Sequence, residues 1–172
     1  IVSTARITHA TPAANYAHSV ERDHENDRNS ERLTDPTNCK DIATQLVEFS
    51  SNLPGSDGLE VALGGGRRNF LKRIEGADPE TGNQGERLDG RDLTQDWVDT
   101  HENSAYVWNK EGFDNIDIDA TDHLLGLFQP SHMQYAYDNQ SDIGGEPTLS
   151  EMTSKAIDLL SKNDKGFYLN VE

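Results

Sequence analysis

Short apolar runs alternate with stretches of helical period along the whole chain, and this alternation restricts it to helices packed on a sheet. Residues 1–4 are a β-branched run, and 59–63, Leu-Glu-Val-Ala-Leu, read as a strand stopped by Gly64-Gly65-Gly66. Residues 105–108, 123–128 and 167–171 are further strand candidates, the fourth ended by Pro130. Between them Cys39, Ile42, Ala43, Leu46 and Val47 recur at helical intervals, and 92–101 fits a short helix with Leu93, Trp97 and Val98 inward. Thr148 and Glu151 form a capping box, opening a helix with Leu149, Met152, Ala156, Leu159 and Leu160 on one face and Gly166 past its end. The expected fold is α/β, a largely parallel sheet with flanking helices, in which functional side chains gather where strands end.

Two more helices are expected. Thr11 followed by Pro12 predicts a capped start, with the helix running to about residue 22 and Tyr16, Ala17 and Val20 on one face. A short helix should follow the glycines over 67–74. Residues 23–38, with Pro36, read as an exposed connection, and 54–58 as a turn cluster. Residues 75–90 are polar, contain Pro79 and carry no apolar period, and a second polar loop follows Pro130. The stretch 75–147 is therefore loop-rich, and long loops in compact domains are often functional.

Against 15 Lys and Arg the 172 residues carry 31 Asp and Glu, 18 of them Asp, for a net charge of −16. Acidity spread in this way argues against nucleic acid or an anionic membrane as partner, and suits a salt-adapted, halophilic source. No run approaches the ~18 apolar residues that span a bilayer. Cys39 is the only cysteine, so no disulfide closes within the chain and no zinc site can be built on several cysteines; a buried thiol is expected.

Pattern alone makes Thr11 a helix cap, Glu172 a strand-end carboxylate and Arg22 a charge at a helix C-terminus. The wording of the chain says more. Ile-Val-Ser-Thr-Ala-Arg-Ile-Thr-His-Ala-Thr-Pro-Ala at the start, Cys-Lys-Asp-Ile-Ala-Thr-Gln-Leu from Cys39, Leu-Gly-Gly-Gly-Arg-Arg from Leu63 and Arg-Leu-Asp-Gly-Arg-Asp-Leu from Arg87 follow one another in order. So do Tyr-Val-Trp-Asn from Tyr106, Leu-Gly-Leu-Phe from Leu125 and Glu-Met-Thr-Ser-Lys-Ala-Ile-Asp-Leu-Leu-Ser-Lys-Asn from Glu151. Together they resemble the alkaline phosphatase family, most closely its animal-like and marine bacterial branch.

The resemblance implies hydrolysis of small phosphate monoesters through a phosphoserine intermediate, with zinc and magnesium. By position Thr11 and Glu172 are magnesium ligands, oxygen donors that suit this hard cation. Arg22 clamps two phosphate oxygens with its planar fork, a geometry Lys cannot copy. His9 lies beside the magnesium ligands and tunes that site. In the animal branch a calcium ion binds apart from the catalytic centre, and the positions carried over are Glu80, the Phe128 carbonyl, Gln129 and Glu146. Gln129 departs from the family's acid and lowers the charge of the site.

The family's Asp-Ser-Ala nucleophile segment is absent, and its zinc ligands fall outside the sequence. Residues 1–172 thus read as an internal segment of one alkaline phosphatase domain, inactive alone and completed by the remaining segments of its parent chain. The parent is expected to be a periplasmic or secreted homodimer, with Cys39 at the position of a family cysteine whose disulfide partner lies upstream. Two other readings stay open: a noncatalytic acidic module that binds cations through the loops around Glu80 and Glu146, and a phosphodiesterase or sulfatase relative.

Overall fold

The computed structural model describes residues 1–30, 39–49 and 56–172. Among these, β1 (Val2–Arg6), β2 (Val61–Gly65), β3 (Ser104–Val107) and β4 (His123–Leu127) form one sheet in the order β1-β2-β4-β3, every neighbouring pair parallel. The helices are α1 (Ala10–Ala13), α2 (Asp27–Ser30), α3 (Ile42–Val47), α4 (Leu93–Thr100), α5 (Lys110–Asp114) and α6 (Leu149–Leu160). Parallel strands require crossovers, and the chain uses helices on both faces to make them.

The two central strands, β2 and β4, are buried along their full length. Because side chains alternate across a strand, each contributes to two cores. Ala62, Leu125 and Leu127 pack with Leu46 and Val47 of α3, Phe70 and Trp97 on one face. Val61, Leu63 and Leu124 pack with Phe113, Met152, Ala156 and Leu159 on the other. The capping box at Thr148 is present, and α6 buries Met152, Ala156, Leu159 and Leu160 while Leu149 is half-buried.

The sheet order places the exits of β1, β2 and β4 side by side. Gly66 has a φ of 101°, a left-handed conformation open to glycine, and its N–H faces the carbonyls of Gln129 (3.0 Å) and Ser131 (2.8 Å). At Gly65 an added Cβ would stand 2.1 Å from the Ser131 carbonyl oxygen. The loop after β4 therefore lies directly on the exit of β2.

The loop over 75–90 is ordered without an apolar period because two buried arginines hold it. Arg67 donates from Nε to Asp78 Oδ2 (2.9 Å), from Nη2 to Asp78 Oδ1 (3.1 Å), and pairs with Glu80. Its Nη1 meets the Leu127 carbonyl at 3.0 Å, tying the loop to the end of β4. Arg87 binds both carboxylate oxygens of Asp41, at 3.1 and 3.2 Å, and also pairs with Asp89.

Several sequence expectations need correction. The helix from Thr11 toward residue 22 stops at Ala13, its N-cap is His9 rather than Thr11, and Val20 is exposed. Asn15 ends it by donating its side-chain amide to the Thr11 and Pro12 carbonyls, and Gln45 then holds both the N–H and the carbonyl of His18. In place of a helix over 67–74 there is a single 3-10 turn, Arg67–Asn69. Beyond it Arg73 N–H bonds to the Arg87 carbonyl and Gly85 N–H to the Lys72 carbonyl, which draws the backbone out toward the loop.

The run over 167–171 makes only an isolated bridge, Val2 to Val171, instead of a full strand. Val98 is 37 % exposed, and Cys39 is exposed rather than buried. Within the connection read as exposed, His24, Glu25, Asn26 and Ser30 are buried and α2 forms; its remainder, 31–38 with Pro36, lies outside the described residues, as do 54 and 55 of the turn cluster. Helix α5 had no sequence expectation; it is capped by Asn109, whose side chain accepts from Gly112 N–H.

Candidate functional site

The carboxyl end of β1 gathers the cationic candidates. His9 caps α1 through backbone geometry alone, with no side-chain capping bond, so its imidazole is available elsewhere. His9 Nε2 lies 2.8 Å from Arg22 Nη2; since a guanidinium only donates, Nε2 is the acceptor, and Nδ1 is buried with no hydrogen-bond partner among the described residues. The sequence reading had placed Arg22 at the end of a helix. It is instead exposed on a loop that turns back to meet His9.

Thr11 sits inside α1, exposed at the surface just beyond the end of β1. Glu172 runs alongside that strand: its N–H bonds to the Val2 carbonyl (3.0 Å), its carbonyl accepts from Thr4 N–H (3.2 Å), and its carboxylate accepts from Ser3 Oγ (3.1 Å). Both residues are thus attached to β1, one at its flank and one past its exit. Their hydroxyl and carboxylate are oxygen donors of the kind a magnesium ion takes, but two donors leave most of an octahedral shell to other groups. Among the described residues, no group of three or more His, Cys, Asp or Glu side chains is arranged to hold a metal ion unaided.

Sequence reasoning missed His132, which completes this end of the sheet. Its ring faces Arg6 twice, Nδ1 toward the Arg6 N–H (3.2 Å) and Nε2 toward Nη1 (2.6 Å), and meets His9 edge-on with ring centroids 5.2 Å apart. Burial lowers its pKa, and the charge of Arg6 and the proximity of His9 lower it further. Glu25, also missed, is buried and accepts from Arg6, Thr8 and Asn69. A cluster of this kind has no fixed sequence spacing, so nothing in the linear pattern marks it.

A second cluster forms where the acidic loops meet, and here Glu80, Gln129 and Glu146 do come together. Glu80 pairs with Arg67 and faces Gly144 N–H at 3.4 Å. Glu146 is buried and accepts from Gln134 N–H at 3.2 and 3.0 Å. The side-chain amide of Gln129 donates to Asp142 Oδ1 at 2.9 Å, while Asp142 Oδ2 is buried with no hydrogen-bond partner. Burial pushes the Glu146 carboxyl up, and the negative charges of Asp142 and Glu80 add to it, against the hydrogen bonds from Gln134 and Gln129. An orphaned carboxylate oxygen beside a buried carboxyl offers the oxygen chemistry that a hard divalent cation takes, although among the described residues no three of these acids are arranged to hold one unaided. Gln129 turns its NH2 toward these acids, so presenting its carbonyl oxygen to a cation requires the amide to flip. Phe128 anchors the same loop by donating its N–H to the Gly64 carbonyl. Asp142 was absent from the sequence reading, and its place in the loop between Gln129 and Glu146 was the available signal.

The family model that matches this sequence is alkaline phosphatase, over residues 1–172. Among curated relatives, the tissue-nonspecific alkaline phosphatase isozyme of Gallus gallus is 43 % identical, covering 100 % of this chain and 33 % of its own length. Among solved structures, the alkaline phosphatase of Thermus thermophilus superposes with a TM-score of 0.66 at 28 % identity, over 96 % of this chain and 27 % of that one. A histidine-to-glutamate variant of the alkaline phosphatase from the Antarctic bacterium TAB5, solved with magnesium bound in its M3 site, shares the fold at 22 % identity and a TM-score of 0.58, over 96 % of this chain and 35 % of that one. The chain spans about a third of the length of the curated relative.

Proposed function

The chain belongs to the alkaline phosphatase family, and from that premise we propose that its parent protein hydrolyses small phosphate monoesters through a phosphoserine intermediate, this segment supplying the phosphate clamp and part of a magnesium shell. The observation that carries the reading is the family match over residues 1–172 together with Arg22, which is exposed and braced by His9 at the exit of β1. That match also favours monoester hydrolysis over the phosphodiesterase or sulfatase alternative.

In this reading the Arg22 guanidinium faces the non-bridging phosphate oxygens and offers two parallel donors, which orients the group and offsets the charge it carries in the transition state. His9 holds the guanidinium from behind. Thr11 and Glu172 contribute oxygen ligands to magnesium, and the zinc ligands and the nucleophilic serine come from other segments of the parent chain. Bound metals supply charge stabilisation for the attacking and leaving oxygens.

The cluster of Glu80, Gln129, Asp142 and Glu146, with the Phe128 carbonyl, takes calcium and ties the loops over 75–147 together; a noncatalytic cation-binding role of this segment rests on the same residues. The parent works as a homodimer outside the cytoplasm, periplasmic or secreted, where an upstream cysteine pairs with the exposed Cys39. Among the described residues no helix is long and apolar enough to cross a membrane.

The test is made on the full-length parent. Arg22→Ala should raise the inhibition constant for inorganic phosphate and the KM for a monoester, and Arg22→Lys should restore little of either. Values unchanged from the native enzyme in both variants would remove Arg22 from the phosphate site. The 172-residue chain alone should show no turnover, and measurable hydrolysis by it would contradict the division of labour proposed here.

A further inference from the structure

Arg22 stands on an exposed stretch, and a long side chain in solvent has many rotamers to lose when it grips an anion. Its precision as a clamp therefore depends on how firmly its backbone is held. That backbone is fastened to α3 at both ends, through Gln45 at His18 and through Ile42 N–H to the His24 carbonyl (2.9 Å) and Ala43 N–H to the Glu25 carbonyl (3.3 Å). These bonds tie it to a helix, whereas His9 and Thr11 belong to the exit of β1. Besides the Arg22–His9 contact itself, the joint between the two is made by Glu25, with Asn26 beside it reaching Thr8 through Asn69.

We infer that Glu25 is a positioning residue, whose buried carboxylate locks the segment bearing Arg22 to the exit of β1 and to the turn after β2. Its Oε2 accepts from Arg6 Nε (2.8 Å), Thr8 Oγ1 (2.5 Å) and Asn69 Nδ2 (3.1 Å), and its Oε1 accepts from Arg6 Nη2 (2.7 Å). Asn69 is in turn fixed by Asn26, the residue after Glu25, whose Nδ2 donates to Asn69 Oδ1 at 2.7 Å. Arg6 belongs to β1, Thr8 lies three residues before Thr11, and Asn69 belongs to the 3-10 turn that follows β2. Burial pushes the Glu25 carboxyl up, but the hydrogen bonds from Arg6 and Thr8 and the charge of Arg6 hold it below its ordinary value.

The pairing also sets Arg6 apart from Arg22. Arg6 points toward the same end of the sheet as Arg22, but its Nε and Nη2 are taken side-on by Glu25 and its Nη1 faces His132, so it is not free to take a second anion. Arg22, exposed, commits Nη2 to His9 and forms no ion pair with a carboxylate among the described residues, which leaves its other donors for the ligand.

This inference rests on the reading of Arg22 as a phosphate clamp, and the experiment separates the two. In the full-length parent, Glu25→Gln and Asn69→Ala are each made alone and combined with Arg22→Ala, and inhibition by inorganic phosphate, kcat, KM and thermal midpoint are measured. Asn69→Ala removes one donor while keeping the ion pair, and it carries the test if Glu25→Gln does not fold. With Arg22 present, Glu25→Gln should weaken phosphate by up to about 100-fold, as misplacement of a binding group by ~1 Å does; Asn69→Ala should act in the same direction and less. In the Arg22→Ala background both effects should nearly vanish. Equal effects in both backgrounds would mark a merely structural role and overturn the inference. If Arg22→Ala alone leaves phosphate inhibition unchanged, the clamp itself fails, and the role of Glu25 fails with it.

Discussion

His101 and His123 stack face to face, ring centroids 4.6 Å apart and planes inclined by 28°. Each is anchored through Nδ1 to a backbone carbonyl at 3.0 Å, His101 to Trp97 and His123 to Leu59, so the pair bridges the end of α4, the entry of β4 and the approach to β2. Both rings are buried, and Nε2 of His101 has no partner among the described residues.

Acid should therefore loosen this corner. Burial lowers the His101 pKa and the neighbouring His123 lowers it further, against the Trp97 carbonyl and the charge of Asp57. A histidine with a depressed folded pKa binds fewer protons than its unfolded counterpart, so its contribution to stability is full above about pH 6.5 and declines as pH falls below that value. Thermal midpoints measured from pH 8 to pH 5 should fall more steeply for the native chain than for His101→Gln. Parallel profiles would sink the assignment.

The acidic cluster predicts the opposite trend in the absence of cations. The Glu146 carboxyl has a raised folded pKa, so its contribution is full below about pH 4.3, the unfolded value, and is lost as pH rises through the folded one. Calcium should restore that loss at neutral pH, and calorimetry should show binding that Glu146→Ala and Asp142→Asn each weaken. Equal binding by native and variant proteins would place the cation elsewhere.

His9 predicts a metal phenotype. An imidazole that braces Arg22 brings no negative charge to Thr11 and Glu172, the proposed magnesium ligands, whereas a carboxylate would. In the full-length parent His9→Asp should tighten magnesium by roughly 10 to 100-fold, the range through which outer groups tune metal sites. Titration of activity against magnesium reads this, and an unmoved midpoint would remove His9 from the site.

Arg87 is the strongest test of the loop architecture. Its side chain is 1 % exposed and its charge is balanced by Asp41 and Asp89. Arg87→Ala strands the Asp41 carboxylate in the interior and should cost about 3–5 kcal/mol, as breaking a buried pair does. Denaturant unfolding measures it, and a loss under about 1 kcal/mol would mean that solvent reaches the site.

Where local signals and burial agree, the sequence is a sufficient guide. Helix α6 follows from the capping box at Thr148 and an apolar face of Met152, Ala156 and Leu159, and β2 and β4 from apolar runs, although β2 begins two residues later than the run 59–63 and continues through Gly64 and Gly65, the glycines expected to stop it. The helix expected from Thr11 fails for a local and a distant reason: Asn15 turns its side-chain amide onto the Thr11 and Pro12 carbonyls, and Gln45, distant in sequence, then holds His18, so that tertiary context overrides a good start signal. The site divides in the same way. Glu80, Gln129 and Glu146 could be carried over by resemblance, but Glu25, His132 and Asp142 act through contacts with residues 19, 126 and 13 positions away. Arg22 could be named from the wording of the chain, but not its partnership with His9, because that depends on where an irregular loop returns.

The close approach at Gly65 gives the molecule an unusual sort of heredity. With no room for even a methyl group between that residue and the Ser131 carbonyl, the strand and the loop above it cannot drift independently. Whatever lineage of sequences uses this arrangement must keep a bare backbone at that point or rebuild the whole overpass that carries His132 on one side and the acidic cluster on the other.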